Sequence, residues 1–346
     1  MNHFKIIFFM FIVFFCSSLN AQDSMEDRIN SVENTVSKLP RILGDVNLRY
    51  RYDDVGDGFN SFDIRRARLD FRGNVVKPVE YRIHLDFANS PKMLDAYVNW
   101  KINDHLALQT GQYKIPFSLE NPYNPNALEM IDNSLAITHL VNYSDVSGLS
   151  ANGRDIGISL IGNLLRREGF SIINYHIGVF NGSGINRADE NKTKDFSGIL
   201  TINPIKPLSL AVSHYNGRTG AQDNTLKRVR TGFGAKYDNG RLLVRSEYIQ
   251  GETERLLQGE TTSEIQRFKS EGAYAAVGFF VHPKIQPVAR YDYFTWDKAD
   301  DNTGQHYTVG FNYLPVNNLR VQFNYTRRTS RENESNYFAA QLWVKF

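Results

Sequence analysis

The sequence predicts an all-β protein: a transmembrane antiparallel β-barrel of about 16 strands, preceded by a short N-terminal helix. Three observations point there. Apolar and polar residues alternate through most of the chain, short turns alternate with long loops, and an apolar strand ends on the terminal aromatic Phe346. The composition excludes competitors. With 40 Lys+Arg against 37 Asp+Glu the chain is nearly neutral, so it is no basic nucleic-acid binder. A mean hydropathy of −0.41 excludes a bundle of membrane helices. Abundant Phe (23) and Tyr (18) favour strands.

Residues 1–21 read as a signal peptide. Lys5 provides a basic start, Ile6 to Phe15 an apolar stretch too short to span a bilayer, and Ser17-Ser18-Leu19-Asn20-Ala21 a small-residue cleavage site. The single cysteine, Cys16, follows Phe14 and Phe15, which is poor lipoprotein context. The mature chain therefore has no cysteine, and export to the outer membrane of a Gram-negative bacterium is expected. Residues 22–43 read as an amphipathic helix or short coiled coil. Met25, Ile29, Val32, Val36 and Leu39 follow a heptad spacing, with Asp23 or Ser24 as N-cap and Pro40 as terminator.

From Gly44 to Phe346 the period is two. Ala67, Leu69 and Phe71 alternate with Arg66, Arg68, Asp70 and Arg72, and Tyr81, Ile83, Leu85 and Phe87 alternate with Arg82, His84 and Asp86. Such alternation makes a sheet with one apolar and one polar face. The dense charge on the polar face and the length of the segments favour a barrel in lipid over a soluble sandwich. Strands are expected to begin near Gly44, Phe62, Val79, Met93, Leu106, Arg154, Gly169, Lys194, Leu208, Val229, Arg241, Phe268, Lys284, Gly304, Leu319 and Ser335. Asn239-Gly240 is the strongest tight-turn signal, and Asn203-Pro204 reads as another turn. Long loops are expected over Asp53 to Ser61, Pro116 to Gly153, Gly182 to Thr193, Gly217 to Arg228, Gly251 to Arg267, Asp297 to Thr303 and Arg328 to Glu334.

A closed barrel of this size holds water, so its lining decides what passes. Parity places Arg49, Arg51, Arg66, Arg68, Arg72, Arg82, Lys101, Arg230, Lys236, Arg290, Arg320 and Lys345 on the inner wall. Fewer acids share it: Asp70, Asp86, Asp95, Glu271 and Asp292. Rings of Arg and Lys attract anions, and the guanidinium fork suits carboxylate and phosphate oxygens. The Pro116–Gly153 loop is too long for a plain connector and is a candidate constriction. It carries Glu120, Glu129, Asp132 and Asp145 but no Lys or Arg, so positive charge there has to come from the wall or from Lys114 and Arg154 at the loop's ends.

The segment Gly111-Gln112-Tyr113-Lys114-Ile115-Pro116-Phe117-Ser118-Leu119-Glu120 resembles a motif of the phosphate-selective porin O/P family. Gly153-Arg154-Asp155-Ile156-Gly157 is similar to that family's segment after the same loop. The resemblance covers roughly residues 40–346. It implies a trimeric outer-membrane porin favouring phosphate or other anions, with Lys114 as a basic pore position. Outer-membrane lipid and the barrel-assembly machinery are the further partners it implies.

No signature of catalysis is present: there is no G-x-S-x-G, H-E-x-x-H, P-loop or C-x-x-C, so no catalytic residue, cofactor or metal is expected. The acidic stretches at Asp53–Gly58 and Asp297–Asp301 read as solvated turns rather than Ca²⁺ loops. Three functions stay open: a passive anion porin preferring phosphate, a weakly selective general-diffusion porin, and a surface-binding or adhesive barrel.

Overall fold

The computed structural model describes residues 25, 28, 29 and 39–346, apart from 168, 221–224, 259–262, 301 and 332. The leader, and most of the segment 22–43 expected to be helical, lie outside the described residues; Arg41, Ile42 and Leu43 of that segment open the first strand instead. The strands are β1 (Arg41–Asp53), β2 (Phe59–Val76), β3 (Val79–Asp86), β4 (Lys92–Asn103), β5 (Leu106–Lys114), β6 (Arg154–Arg167), β7 (Phe170–Phe180) and β8 (Asp195–Ile205). They continue as β9 (Leu208–Thr219), β10 (Leu226–Asp238), β11 (Leu242–Gln258), β12 (Ser263–Phe279), β13 (Ile285–Thr295), β14 (Thr303–Val316), β15 (Leu319–Ser330) and β16 (Glu334–Lys345). Each pairs antiparallel with its neighbours in sequence, and β1 pairs with β16, so the sheet closes. Gly44 and Phe346 exchange backbone hydrogen bonds of 2.8 and 2.9 Å at the seam. Closure leaves no open edge, the condition for a sheet in hydrocarbon.

The outer face is apolar by parity. Leu48, Ile64, Val98, Leu160, Val179, Leu200, Val212, Val277, Val309 and Tyr325 are all exposed there. Expected strand starts fall within about three residues of the observed ones, except at β12, which begins at Ser263 rather than near Phe268. The expected loop Gly251 to Arg267 is mostly strand, and the expected loop Gly217 to Arg228 is strand at both ends, over 217–219 and 226–228. There the hairpins continue past the bilayer, where polar residues on both faces erase the alternation. The expected turn at Asn203-Pro204 lies inside β8; the chain reverses at Lys206-Pro207 instead. Asn239-Gly240 does turn the chain, with Gly240 at φ 84°.

A β-bulge between Asn47 and Leu48 on the β1–β2 ladder shifts the parity of β2: Asn47 faces Arg66, and Leu48 faces Ile64. Arg65 is the extra residue. Asp63 and Arg65 before the bulge point inward, and so do Arg66, Arg68 and Asp70 after it.

The long loop folds into the lumen. It contains a 3₁₀ turn (Pro125–Ala127) and one short helix, α1 (Leu135–Leu140), capped by Ser134, whose side chain accepts from Ile137 N at 3.4 Å. Leu135, Ala136, Ile137 and Leu140 are buried against wall residues Ile249, Tyr274, Ala276 and Phe294, so the loop supplies one side of an apolar core inside the barrel. The wall makes room with glycine: a Cβ at Gly234 would sit 2.7 Å from Leu119 Cδ1, and one at Gly272 would sit 3.2 Å from Ala136 Cβ.

Candidate functional site: the lumen and its constriction

The Gly111–Glu120 segment launches the loop. Gly111 adopts φ 125°, where a Cβ would strike the Ala96 carbonyl at 2.2 Å. Tyr113 donates its hydroxyl to Ser159 at 2.8 Å. Lys114 Nζ donates to the Asn121 and Tyr123 carbonyls, both at 2.6 Å, and so ties the loop back on its own root. Glu247 on β11 receives the far end: it accepts from the Leu119 and Glu120 amides at 2.7 and 2.9 Å and from the Tyr274 hydroxyl at 2.8 Å.

All four loop carboxylates pair with wall arginines. Glu129 and Glu120 lie 2.9 and 3.7 Å from Arg245, and Asp145 lies 3.0 Å from Arg230. Asp132 lies 2.7 Å from Arg65 and 3.6 Å from Arg49. Burial pushes the Asp132 carboxyl up, but Arg65 and Arg49 outweigh it and hold it below the usual carboxylate range. Other wall arginines hold loop backbone. Arg290 donates to the Asp132 and Asn133 carbonyls at 2.8 and 3.2 Å while pairing with Asp292 at 2.7 Å, and Arg320 donates to the Asn126 carbonyl at 2.9 Å. Arg66 is buried with one long contact, 3.5 Å to Asn126 Oδ1.

Seated this way, the loop covers the wall from β8 through β16 to β1 and the Arg65–Arg66 part of β2, and leaves open the side formed by the rest of β2 and by β3–β7. A cavity of about 280 Å³ remains there, with Arg68, Arg72, Arg82, Lys114 and Arg154 in its wall. Arg68 pairs with Asp86 at 2.9 Å, Arg72 and Arg82 share Asp70 at 2.6 and 2.8 Å, and Arg154 and Arg82 share Asp95 at 2.7 and 3.0 Å. His84 Nδ1 also meets Asp95, at 3.0 Å. By formal charge, five basic side chains against the three carboxylates Asp70, Asp86 and Asp95 leave an excess of two positive charges. Two of the three Lys114 N–H donors are spent on carbonyls. The loop edge across this cavity is Pro122-Tyr123-Asn124-Pro125, which carries no charge.

The inner-wall residues expected from sequence therefore divide into groups. Arg68, Arg72, Arg82 and Lys114 border the open cavity. Arg230, Arg290 and Arg320 are on the inner wall but buried beneath the loop, each donating at least one N–H to it, so they do not border the passage. Arg49 and Arg51 pair with Asp63 at 2.8 and 2.9 Å. Lys101 stands near the short-turn end, half exposed, paired with Glu80. Lys236 donates to the Tyr123 hydroxyl at 2.8 Å, and Lys345 is exposed at the end of β16. Sequence reasoning missed Arg65, which a two-residue period assigns to the wrong face, and Arg228, which read as loop. It also missed Arg245. Arg228 pairs with Asp195 at 3.1 Å and donates to Asn142 Oδ1 at 2.9 Å. Among the described residues no cluster of His, Cys, Asp and Glu is arranged to hold a metal.

A closed sixteen-strand sheet with a loop folded into its lumen is the architecture to be compared with known proteins. The family model for phosphate-selective porins O and P matches residues 40–341. The chain belongs to this family. It is an outer-membrane porin. Among solved structures, it is similar to an anion-selective porin from Comamonas acidovorans, with a TM-score of 0.70 and 14% identity over 89% of this chain and 99% of that one. It is similar also to OmpF of Salmonella typhi in complex with daunomycin (TM-score 0.67, 12% identity, 90% and 98% covered). A third likeness is to the trimer form of OmpT from Vibrio cholerae (TM-score 0.60, 11% identity, 89% and 99% covered). No curated protein matches the sequence at a significant level. At these identities the solved structures establish the shared fold of this porin.

Proposed function

We propose that this porin is a passive, anion-selective channel, assembled as a homotrimer, through which phosphate and other small anions diffuse. One observation carries the reading: the loop turns its four carboxylates away into ion pairs with Arg65, Arg49, Arg230 and Arg245. The narrow cavity is thereby left with a neutral loop edge facing Arg68, Arg72, Arg82, Lys114 and Arg154. An anion entering from the long-loop side trades hydration for guanidinium and ammonium donors on one wall. Arg72 is half exposed and Arg82 partly so, which leaves N–H groups accessible beside their shared Asp70. Several sites with modest surplus charge favour entry without trapping the ion. The trimer form recorded for OmpT, a protein of the same fold, supports the assembly.

Phosphate competition tests the solute. Inorganic phosphate added to a chloride-conducting channel in a planar bilayer is expected to reduce the chloride current as it occupies the same donors. Chloride current indifferent to phosphate would leave a general-diffusion pore. Absence of any open-channel current would favour a surface-binding barrel.

A further inference from the structure

The cationic cavity opens into a second, larger one of about 740 Å³ toward the short-turn end, and the two share Pro122, Tyr123 and His176 in their walls. The chemistry changes between them. The register of β6, β7 and β8 sets Ile161, His176 and Ile199 side by side on the lumenal face. One step nearer the short turns, Asn163, Asn174 and Thr201 form the next row. The loop adds Leu119, Pro122 and Tyr123 opposite. Charge returns only at the short-turn rim, where Arg166 is tied to the Asp104 carbonyl at 2.9 Å and Lys101 to Glu80. A path for a bare hydrated ion gains nothing from isoleucine and a tyrosine ring on its wall, because these withhold hydrogen bonds from the ion's water. A solute with a carbon body gains by burying it there, and neighbouring amides and hydroxyls serve any polar groups on that body. The volume suits a small organic molecule.

We propose that the second cavity is a subsite for the carbon body of an organic anion, whose carboxylate or phosphate-ester group is held by the Arg68–Arg72–Arg82 wall. This inference rests on the anion reading and names the class of anion. The solute bridges two chemistries: its charged end on guanidinium donors, its body against Tyr123, Ile161 and Ile199.

Benzoate and acetate share a head group and differ in the body, so their ratio isolates the subsite. Each is titrated against the chloride current of the purified porin in planar bilayers. Benzoate is expected to half-block at a concentration about tenfold below acetate, the size of effect expected for partly burying one ring. In the Ile161→Asn/Ile199→Asn double variant that ratio is expected to fall at least about threefold. Either single variant reads the same ratio if the double variant fails to assemble, and open-channel conductance verifies that each barrel is folded. Equal half-blocking by the two anions in the wild-type channel, or an unchanged ratio in a conducting variant, would overturn the subsite. A cation-favouring zero-current potential in KCl would instead overturn the anion reading beneath it.

Discussion

Arg245 on β11 and Arg82 on β3 occupy equivalent places on the inner wall of one barrel, yet they do different work. Arg245 is buried under the loop and neutralised by Glu129 and Glu120. Arg82 faces the open cavity and shares Asp70 and Asp95 with Arg72 and Arg154. On β10, β11, β13 and β15, and at Arg49 and Arg65 on β1 and β2, the arginines serve as clamps for a segment whose charged side chains are all acidic. From Arg68 on β2 to Arg154 on β6 the same residue type borders the open cavity. The role of a lumenal arginine is thus set by where the loop lies, because the loop decides which guanidinium groups acquire a private carboxylate.

The largest effect is expected from reversing charge on the open side. In the Arg68→Glu/Arg72→Glu/Arg82→Glu variant the zero-current potential under a KCl gradient should change sign, since the excess charge of the narrow cavity does. An anion-favouring potential in that variant would place the conducting path elsewhere.

On the covered side, Arg245→Ala leaves Glu129 and Glu120 buried without their cation, a loss of about 3–5 kcal/mol in seating the loop. Single-channel records should show larger and fluctuating conductance as the loop leaves the lumen. A steady wild-type conductance would mean that the ion pair does not hold the loop.

The pH response is smaller and has a definite sign. Burial pushes the Asp145 carboxyl up, but Arg230 and Arg228 outweigh it, so it lies below the usual range, as Asp132 does. A carboxylate held low in the folded state contributes stability above its unfolded value of about 3.9, and that contribution is lost as pH falls through the folded value. These two clamps should therefore hold from neutral pH down to about 5 and release only in stronger acid. An onset of unsteady conductance between pH 7 and 5 that persists in Glu247→Gln, where the other carboxylate holding the loop is removed, would contradict them. The smallest effect is expected from Lys101→Ala: half exposed and paired with Glu80 at the rim, Lys101 should alter the zero-current potential by roughly a tenth of the triple variant's shift.

The barrel was legible in the sequence because its signal is local. A strand between lipid and water writes its period into consecutive residues, which is why sixteen strand starts could be placed and why Arg68, Arg72 and Arg82 could be assigned to the lumen. The bulge at Arg65 was not legible, since it depends on how β2 pairs with β1. The pairing of loop acids with Arg245, Arg230 and Arg65 was hidden too, because it joins residues far apart in sequence. One signal for the inward loop was present. Gly232, Gly234, Gly272 and Ala276 occupy lumen-facing positions where an open pore would carry polar side chains, and these small residues lie where the loop packs. Only the far end of the β11–β12 hairpin, Gly251 to Arg267, was read as a loop, because past the bilayer both of its faces are wet.

An anion channel of this kind needs a passage whose excess charge is positive because the loop's acids face the other way. The zero-current potential of the wild-type channel in a planar bilayer between unequal KCl solutions measures that charge directly. The predicted potential has the sign set by chloride crossing faster than potassium. A potential of the opposite sign would contradict it.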